Sequence, residues 1–226
     1  MCGRYKLTTK PQVLASHFAL DEVPLDIPPR FNVAPTQQMP VIRQLGERRH
    51  LDMMRWGLVP SWAKDLKSGY RLINARAETV DTKPAFRSAF RHRRCLVPAD
   101  GFYEWKKEDG PKQPYWIGLR DGKLFAFAGL WERMVNRDTE EVVESFTIIV
   151  TEANQVVRPI HDRMPVILPP AAYSQWLDPG EQHPQHLKKF LLPYPNDEII
   201  ASAISREVNN PRNDYAELLH PVKDYK

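Results

Sequence analysis

The chain has 226 residues, enough for one domain with a substantial core. Hydrophobic residues at 42% and charged residues at 27% exclude a disordered or fibrous protein, and a formal charge of +4 permits an anionic partner without requiring one. Two cysteines are too few for a secreted disulfide scaffold, no apolar run is long enough to span a membrane, and the N-terminus lacks a signal peptide's apolar core, so a cytoplasmic protein is expected.

Proline, at 21 residues against 10 glycines, favours short loops and strands over long helices. Residues before Thr8 read as extended. Thr8 and Thr9, ahead of Pro11 and the apolar set Val13, Leu14 and Phe18, predict a short capped helix. Pro24, Pro28 and Pro29 mark an irregular connection. Val41 to Leu45 and Leu51 to Trp56 then flank Gly46-Glu47-Arg48-Arg49 as a hairpin.

Further strands are predicted over Arg94 to Val97, Phe102 to Lys106, Tyr115 to Leu119, Leu124 to Leu130, Phe146 to Thr151, Val166 to Leu168 and Ile199 to Ile204. Asp121-Gly122 reads as a hairpin turn between two of them. Helices are predicted over Pro84 to Phe90, Ala171 to Leu177 and His186 to Leu191. Without repeats or a regular alternation of strand and helix, the expected fold is α+β: a single domain of curved mixed or antiparallel β-sheets with flanking short helices.

Chemistry first suggests itself at Met1-Cys2-Gly3-Arg4. Initiator methionine is generally removed before a small residue, and Cys2 would then carry an α-amine of pKa about 7.7–8.0 beside a thiol of about 8.5. An amine condenses with an aldehyde to an imine, and the neighbouring thiol can add to that carbon and close a five-membered thiazolidine. The plain alternative is a chance cysteine at a frayed end.

Three polar motifs follow: Asn74-Ala75-Arg76-Ala77-Glu78-Thr79, Asp100-Gly101-Phe102-Tyr103-Glu104-Trp105 and His161-Asp162-Arg163-Met164-Pro165. Between two aromatics, Glu104 is placed to have a raised pKa suited to an acid, or else it points outward from a strand. His161 is a proton shuttle or a structural histidine. Asn74 holds a thiol or carbinolamine hydroxyl, or caps a helix.

Arg4, Arg76 and Arg163 suit a phosphate-tracking groove, and Trp62 and Trp105 suit base stacking, whereas Trp56 reads as core. The basic run Arg87 to Arg94 reads as a solvated helix end, and His183 and His186 read as surface. No metal-ligand spacing and no phosphate-binding glycine loop is present in the sequence, so neither metal nor cofactor is expected.

These motifs, with Arg55-Trp56-Gly57-Leu58-Val59-Pro60, run in order from residue 2 to about residue 168, and the chain resembles the SOS response-associated peptidase (SRAP) family, abasic-site shielding proteins. The resemblance implies a processed Cys2 in a positively charged groove, forming a thiazolidine with the ring-opened sugar. It implies Asn74 as orienting residue, Glu104 as acid and base, and His161 as an aid to imine chemistry. Arg4, Arg76 and Arg163 would hold phosphates, with Trp105 near the lesion, Trp62 structural or contacting DNA, and Pro40 wedged at a base step. The partner would be single-stranded DNA with abasic sites, including those at single-strand/double-strand junctions, bound by a monomer associated with the nucleoid. Two other readings stay open: an N-terminal cysteine peptidase, with His161 or Glu104 as base, and a non-catalytic single-strand binder.

Overall fold

The computed structural model of the protein describes residues 2–22, 27–136, 139–181 and 183–222. Met1, whose removal the sequence suggests, and Pro24 of the irregular connection lie outside the described residues. The chain runs through β1 (Arg4–Leu7), α1 (Pro11–Phe18), β2 (Arg30–Val33), β3 (Gln38–Leu45), β4 (Arg48–Trp56), β5 (Asn74–Arg76), α2 (Arg87–His92) and β6 (Arg94–Ala99). It continues through β7 (Gly101–Lys106), β8 (Gln113–Leu119), β9 (Phe125–Val135), β10 (Val142–Glu152), β11 (Arg163–Pro165), β12 (Ile167–Leu168), α3 (Tyr173–Leu177), α4 (Pro184–Lys188) and β13 (Ile199–Ala203).

Two sheets organise these elements, as expected for α+β. The first is antiparallel in the order β13-β8-β7-β1-β2. In the second, β10 pairs with β4, β4 with β3, β3 with β6, β6 with β9, and β9 again with β10, so five strands close on themselves. A closed circuit leaves no free edge between its members. Only the β10–β4 contact in that circuit is parallel.

Eleven-residue β10 then outruns the circuit: its second half takes β5 on one side, parallel, and β11 on the other, antiparallel. Asn74 thereby lies opposite Ile148, Arg76 opposite Val150, and Arg163 opposite Glu152.

The sheets meet through aromatic side chains. Tyr5 of β1 packs edge-on against Trp56 of β4 at 5.1 Å and Phe127 of β9 at 5.9 Å, and Trp56 stacks on Phe146 of β10 at 6.3 Å. Such pairs contribute about 0.5–1.5 kcal/mol each beyond their burial. Trp56 is fully buried, as its apolar strand predicts.

Several local expectations are corrected. The Val41–Trp56 hairpin forms, but its turn is only Gly46-Glu47, with Gly46 at φ 61°, because Arg48 and Arg49 already pair in β4. Asp121-Gly122 is a turn without a hairpin, since β8 and β9 belong to different sheets and it carries the chain between them. Thr8 and Thr9 do not cap α1, whose N-cap is Lys10; their amides and hydroxyls bind the Asp100 carboxylate.

The helix predicted from Pro84 starts at Arg87, after a turn in which Phe86 and Arg87 donate to the Lys83 carbonyl. The one predicted from His186 starts at Pro184, where proline's missing N–H is harmless. Within the basic run Arg94 is buried, and its guanidinium donates to the carbonyls of Phe90, Arg91, Trp176, Asp178 and Glu181. Burial lowers its pKa to about 10, still charged at neutrality.

Candidate active site

Cys2 precedes β1, and the register that sets Arg4 opposite Tyr103 brings the start of the chain alongside Glu104 and Trp105. Alternation sorts the side chains. Tyr5 and Phe102 face the main core, whereas Arg4, Tyr103 and Trp105 face the smaller cluster of Ile204, Val208 and Leu218. Cys2 is fully buried with the main core, and its thiol donates to the Arg4 carbonyl at 3.7 Å. Burial, reinforced by the Glu104 charge, pushes the thiol pKa well up. The resting sulfur is therefore a thiol and not a thiolate.

Glu104 is 2% exposed, which overturns the outward-facing alternative. Burial raises its carboxyl to about 7, with Asp162 adding to the rise. A carboxyl balanced between its two forms near neutrality can give and take a proton at almost equal cost. Electrostatic coupling thus links Cys2, Glu104 and the His161-Asp162-Arg163 turn.

His161 is partly buried, and burial lowers its pKa below the ordinary imidazole value. The Arg163 backbone N–H donates to its Nδ1 at 3.0 Å, while Asp162 Oδ1 lies 2.9 Å from the same nitrogen. Both cannot be served by one protonation state. The backbone donor has no choice of role, so Nδ1 accepts and Nε2 carries the proton in the neutral ring; protonation would turn Nδ1 toward Asp162.

Asn74 lies in β5, so the helix-cap alternative falls. Its Nδ2 donates to the Ile73 carbonyl at 2.9 Å, and its buried Oδ1 has no hydrogen-bond partner among the described residues. An unsatisfied buried acceptor costs about 1–3 kcal/mol, and a substrate hydroxyl or amine would relieve it.

The three arginines differ. Arg76 is exposed. Arg163 is paired with Glu78, and although burial acts upward on that carboxyl, the Arg163 hydrogen bond and the charges of Arg163 and Arg76 hold its pKa below the usual value. Arg4 donates to Asn32 Oδ1 and the Val208 carbonyl, both at 2.8 Å, and to the Asn209 carbonyl at 3.2 Å, tying β1 to the C-terminal segment. Trp105 Nε1 donates to Asn209 Oδ1 at 2.6 Å on the same face.

Trp62 is exposed on the loop after β4. Pro40 is buried within β3, opposite Met53. Among the described residues no cluster of side chains could hold a metal ion. Glu78 and Asp162 were given no role from sequence; their positions within the same motifs as Arg76 and Arg163 were the available signal.

No helix is long and apolar enough to cross a membrane among the described residues. The sequence profile described as SOS response associated peptidase (SRAP) matches residues 1–211. The chain is 44% identical over 222 residues to "Abasic site processing protein YoaM" of Bacillus subtilis, covering 97% of both chains. It is 33% identical over 230 residues to "Abasic site processing protein YedK" of Escherichia coli, covering 98% of this chain and all of the other. A crystal structure of a Bacteroides thetaiotaomicron protein superposes with a TM-score of 0.89 at 25% identity, covering 98% of this chain and 100% of that one. Agreement of this extent in both sequence and fold means that the chain belongs to the SRAP family.

Proposed function

We propose that this protein processes abasic sites in single-stranded DNA by joining Cys2 covalently to the exposed sugar aldehyde, in a reducing cytoplasm that keeps the thiol free. One observation carries this reading: a buried carboxyl, Glu104, with its pKa near neutrality and electrostatically coupled to a buried Cys2. The names of the relatives, abasic site processing proteins, supply the substrate.

The chemistry balances without a redox partner. Once Met1 is removed, the Cys2 amine adds to the aldehyde carbon of the ring-opened sugar and forms a carbinolamine. Glu104 donates its proton to the carbinolamine hydroxyl, which leaves as water, and an iminium remains. The Cys2 sulfur then adds to that carbon, its proton passes to the Glu104 carboxylate, and the ring nitrogen becomes a secondary amine. Glu104 ends as it began, and one water is lost overall.

Such a cycle suits a thiol that burial keeps protonated, because its proton need leave only as sulfur bonds to carbon. A peptidase relying on a standing thiolate would not be served by the same burial. Asn74 Oδ1 accepts from the carbinolamine hydroxyl or amine, and His161, whose neighbour Asp162 bears on the Glu104 carboxyl, aids the imine chemistry. Arg76 and Arg163 hold flanking phosphates, Arg163 by exchanging Glu78 for phosphate or sharing its fork between them. An abasic nucleotide has no base to unstack, which lowers the cost of bringing it to a buried nucleophile.

Cys2→Ser tests the role of sulfur. With the terminal amine intact but no thiol, it should yield an adduct only when borohydride traps the imine, whereas the wild-type adduct should survive denaturation without reductant. A stable untrapped adduct from Cys2→Ser would overturn the proposed ring closure.

A further inference from the structure

A nucleophile at residue 2 sits where a chain frays unless something ties it down. The ladder between β1 and β7 ends at the pair Arg4 and Tyr103, two residues short of Cys2. Arg4 bridges that gap from both of its ends. Its carbonyl accepts the Cys2 thiol, while its guanidinium turns to the outer face of the sheet and enters the segment that follows β13.

That segment, residues 204–220, lies over the outer face of the first sheet as a strap. Ile204, Val208 and Leu218 pack on Tyr103 there. The polar anchor is Asn32 of β2, fully buried: its Nδ2 reaches the carbonyls of Val208, Asn210 and Asn213 at 3.1, 3.1 and 2.8 Å, and its Oδ1 accepts from Arg4 at 2.8 Å. Asp214 fastens the strap further along, its carboxylate accepting the backbone N–H groups of Phe31 and Asn32 and the Nε of Arg30. Among the described residues the hydrogen-bond partners of the Arg4 guanidinium are neutral oxygens. A planar fork serves three such acceptors together in one orientation, so the strap fixes where Arg4 stands.

We propose that the strap is a positioning device for the capture reaction: residues 204–220 hold the Arg4 guanidinium through Asn32, and the Arg4 backbone so fixed holds the Cys2 amine and thiol beside Glu104. Asn32 and Asp214, which touch no reacting atom, are then positioning residues that act through Arg4, and the Arg4 fork serves the fold and not a phosphate. A displacement of about 1 Å in a positioned nucleophile costs on the order of 10²-fold in rate. The effect on rate rests on the proposed function; the hold on Cys2 does not.

Two readouts on the processed full-length protein test this. The first is alkylation of Cys2 by iodoacetamide without DNA, followed on the N-terminal peptide, with Cys95, equally buried in the main core, as the internal control for unfolding. Asp214→Asn keeps the shape of its side chain and removes the charge, and Arg4→Met removes the fork. Each should speed labelling of Cys2 about tenfold or more and leave Cys95 protected, because losing charge-assisted hydrogen bonds opens the terminus locally. The second readout is capture of an abasic single strand, with the rate at saturation separated from the half-saturating concentration. Both variants should lower the saturated rate, Arg4→Met on the order of 10²-fold, with half-saturation within about twofold of wild type. Arg4→Lys should not rescue the rate, because an ammonium supplies the charge without the fork.

Cys2 labelled at the wild-type rate in both variants would overturn the strap, as would Cys2 and Cys95 becoming reactive together, which would make residues 204–220 a general support of the core. A slope of log affinity against log salt shallower by ~0.7 in Arg4→Met, with full rescue by Arg4→Lys, would return Arg4 to phosphate binding. A wild type that protects Cys2, loses the protection in the variants and yet captures no abasic site would retain the strap and refute the proposed function.

Discussion

Glu104 is the residue on which the chemistry turns, and its environment fixes how activity should follow pH. With the carboxyl titrating near 7, its acid form is available below that value and lost above it. The Cys2 amine, at about 7.7–8.0 when unperturbed, becomes nucleophilic in the opposite direction. Single-turnover capture should therefore be bell-shaped in pH for the wild type. Glu104→Gln should slow capture on the order of 10²-fold near pH 7 and keep only the rising limb, with noncovalent affinity for the strand retained. An undiminished rate, or a falling limb that survives in the amide, would remove Glu104 from the proton path. Sequence suggested the raised pKa from the aromatic neighbours of Glu104, yet could not decide its direction in the strand, because both faces of β7 carry large residues. That choice is made by β1 and by what lies beyond it in space.

At the scale of elements, the junction of β6 and β7 holds the start of the chain in place. Asp100 accepts hydrogen bonds from the amides and hydroxyls of Thr8 and Thr9, and Lys6 Nζ stands 3.9 Å away. This cluster fixes the exit of β1, and so the register that delivers Cys2 to Glu104. Asp100→Ala should leave four donors short of their acceptor and cost about 2–4 kcal/mol, lowering the melting temperature by roughly 5–15 °C. It should also slow capture more than it weakens strand binding. A melting temperature within about 2 °C of wild type would show that the cluster does not hold β1.

Strands and their order of appearance were legible from alternation and turn residues: β6, β7, β8 and β13 lie where apolar runs predicted them. Pairing was not. Asp121-Gly122 has the composition of a hairpin turn and joins two sheets instead, because β8 finds β7 and β13 while β9 finds β6, β10 and β12. The short strands β2, β5 and β11 carry too little periodicity to announce themselves. Two of these, β5 and β11, bring Asn74, Arg76 and Arg163 to β10, so the motifs were legible while the strand that gathers them was not.

For the whole molecule, a buried carboxyl used as an acid makes stability depend on pH. In the unfolded chain Glu104 titrates near its ordinary value of about 4.3, and in the folded protein near 7, so between these values the native state holds the extra proton. Stability from this group is then fullest below about pH 4 and declines as pH rises through about 7, by on the order of 2–4 kcal/mol. Glu104→Gln, which has no charge to bury, should melt at the same temperature as wild type near pH 4.5 and about 5–15 °C higher at pH 8. Equal melting curves at pH 8 would mean that the folded carboxylate is well solvated. A variant more stable and less active than wild type is the expected signature of a site that sacrifices stability for chemistry.

The most direct measurement is the intact mass of the protein before and after mixing with single-stranded DNA containing one abasic site, without reductant and under denaturing conditions. The account predicts a starting mass lacking Met1 and a product equal to protein plus DNA minus one water, with no such product from a variant that retains Met1. A Met1-retaining protein that gained the same mass in the same yield, or a processed wild type that gained none, would contradict it.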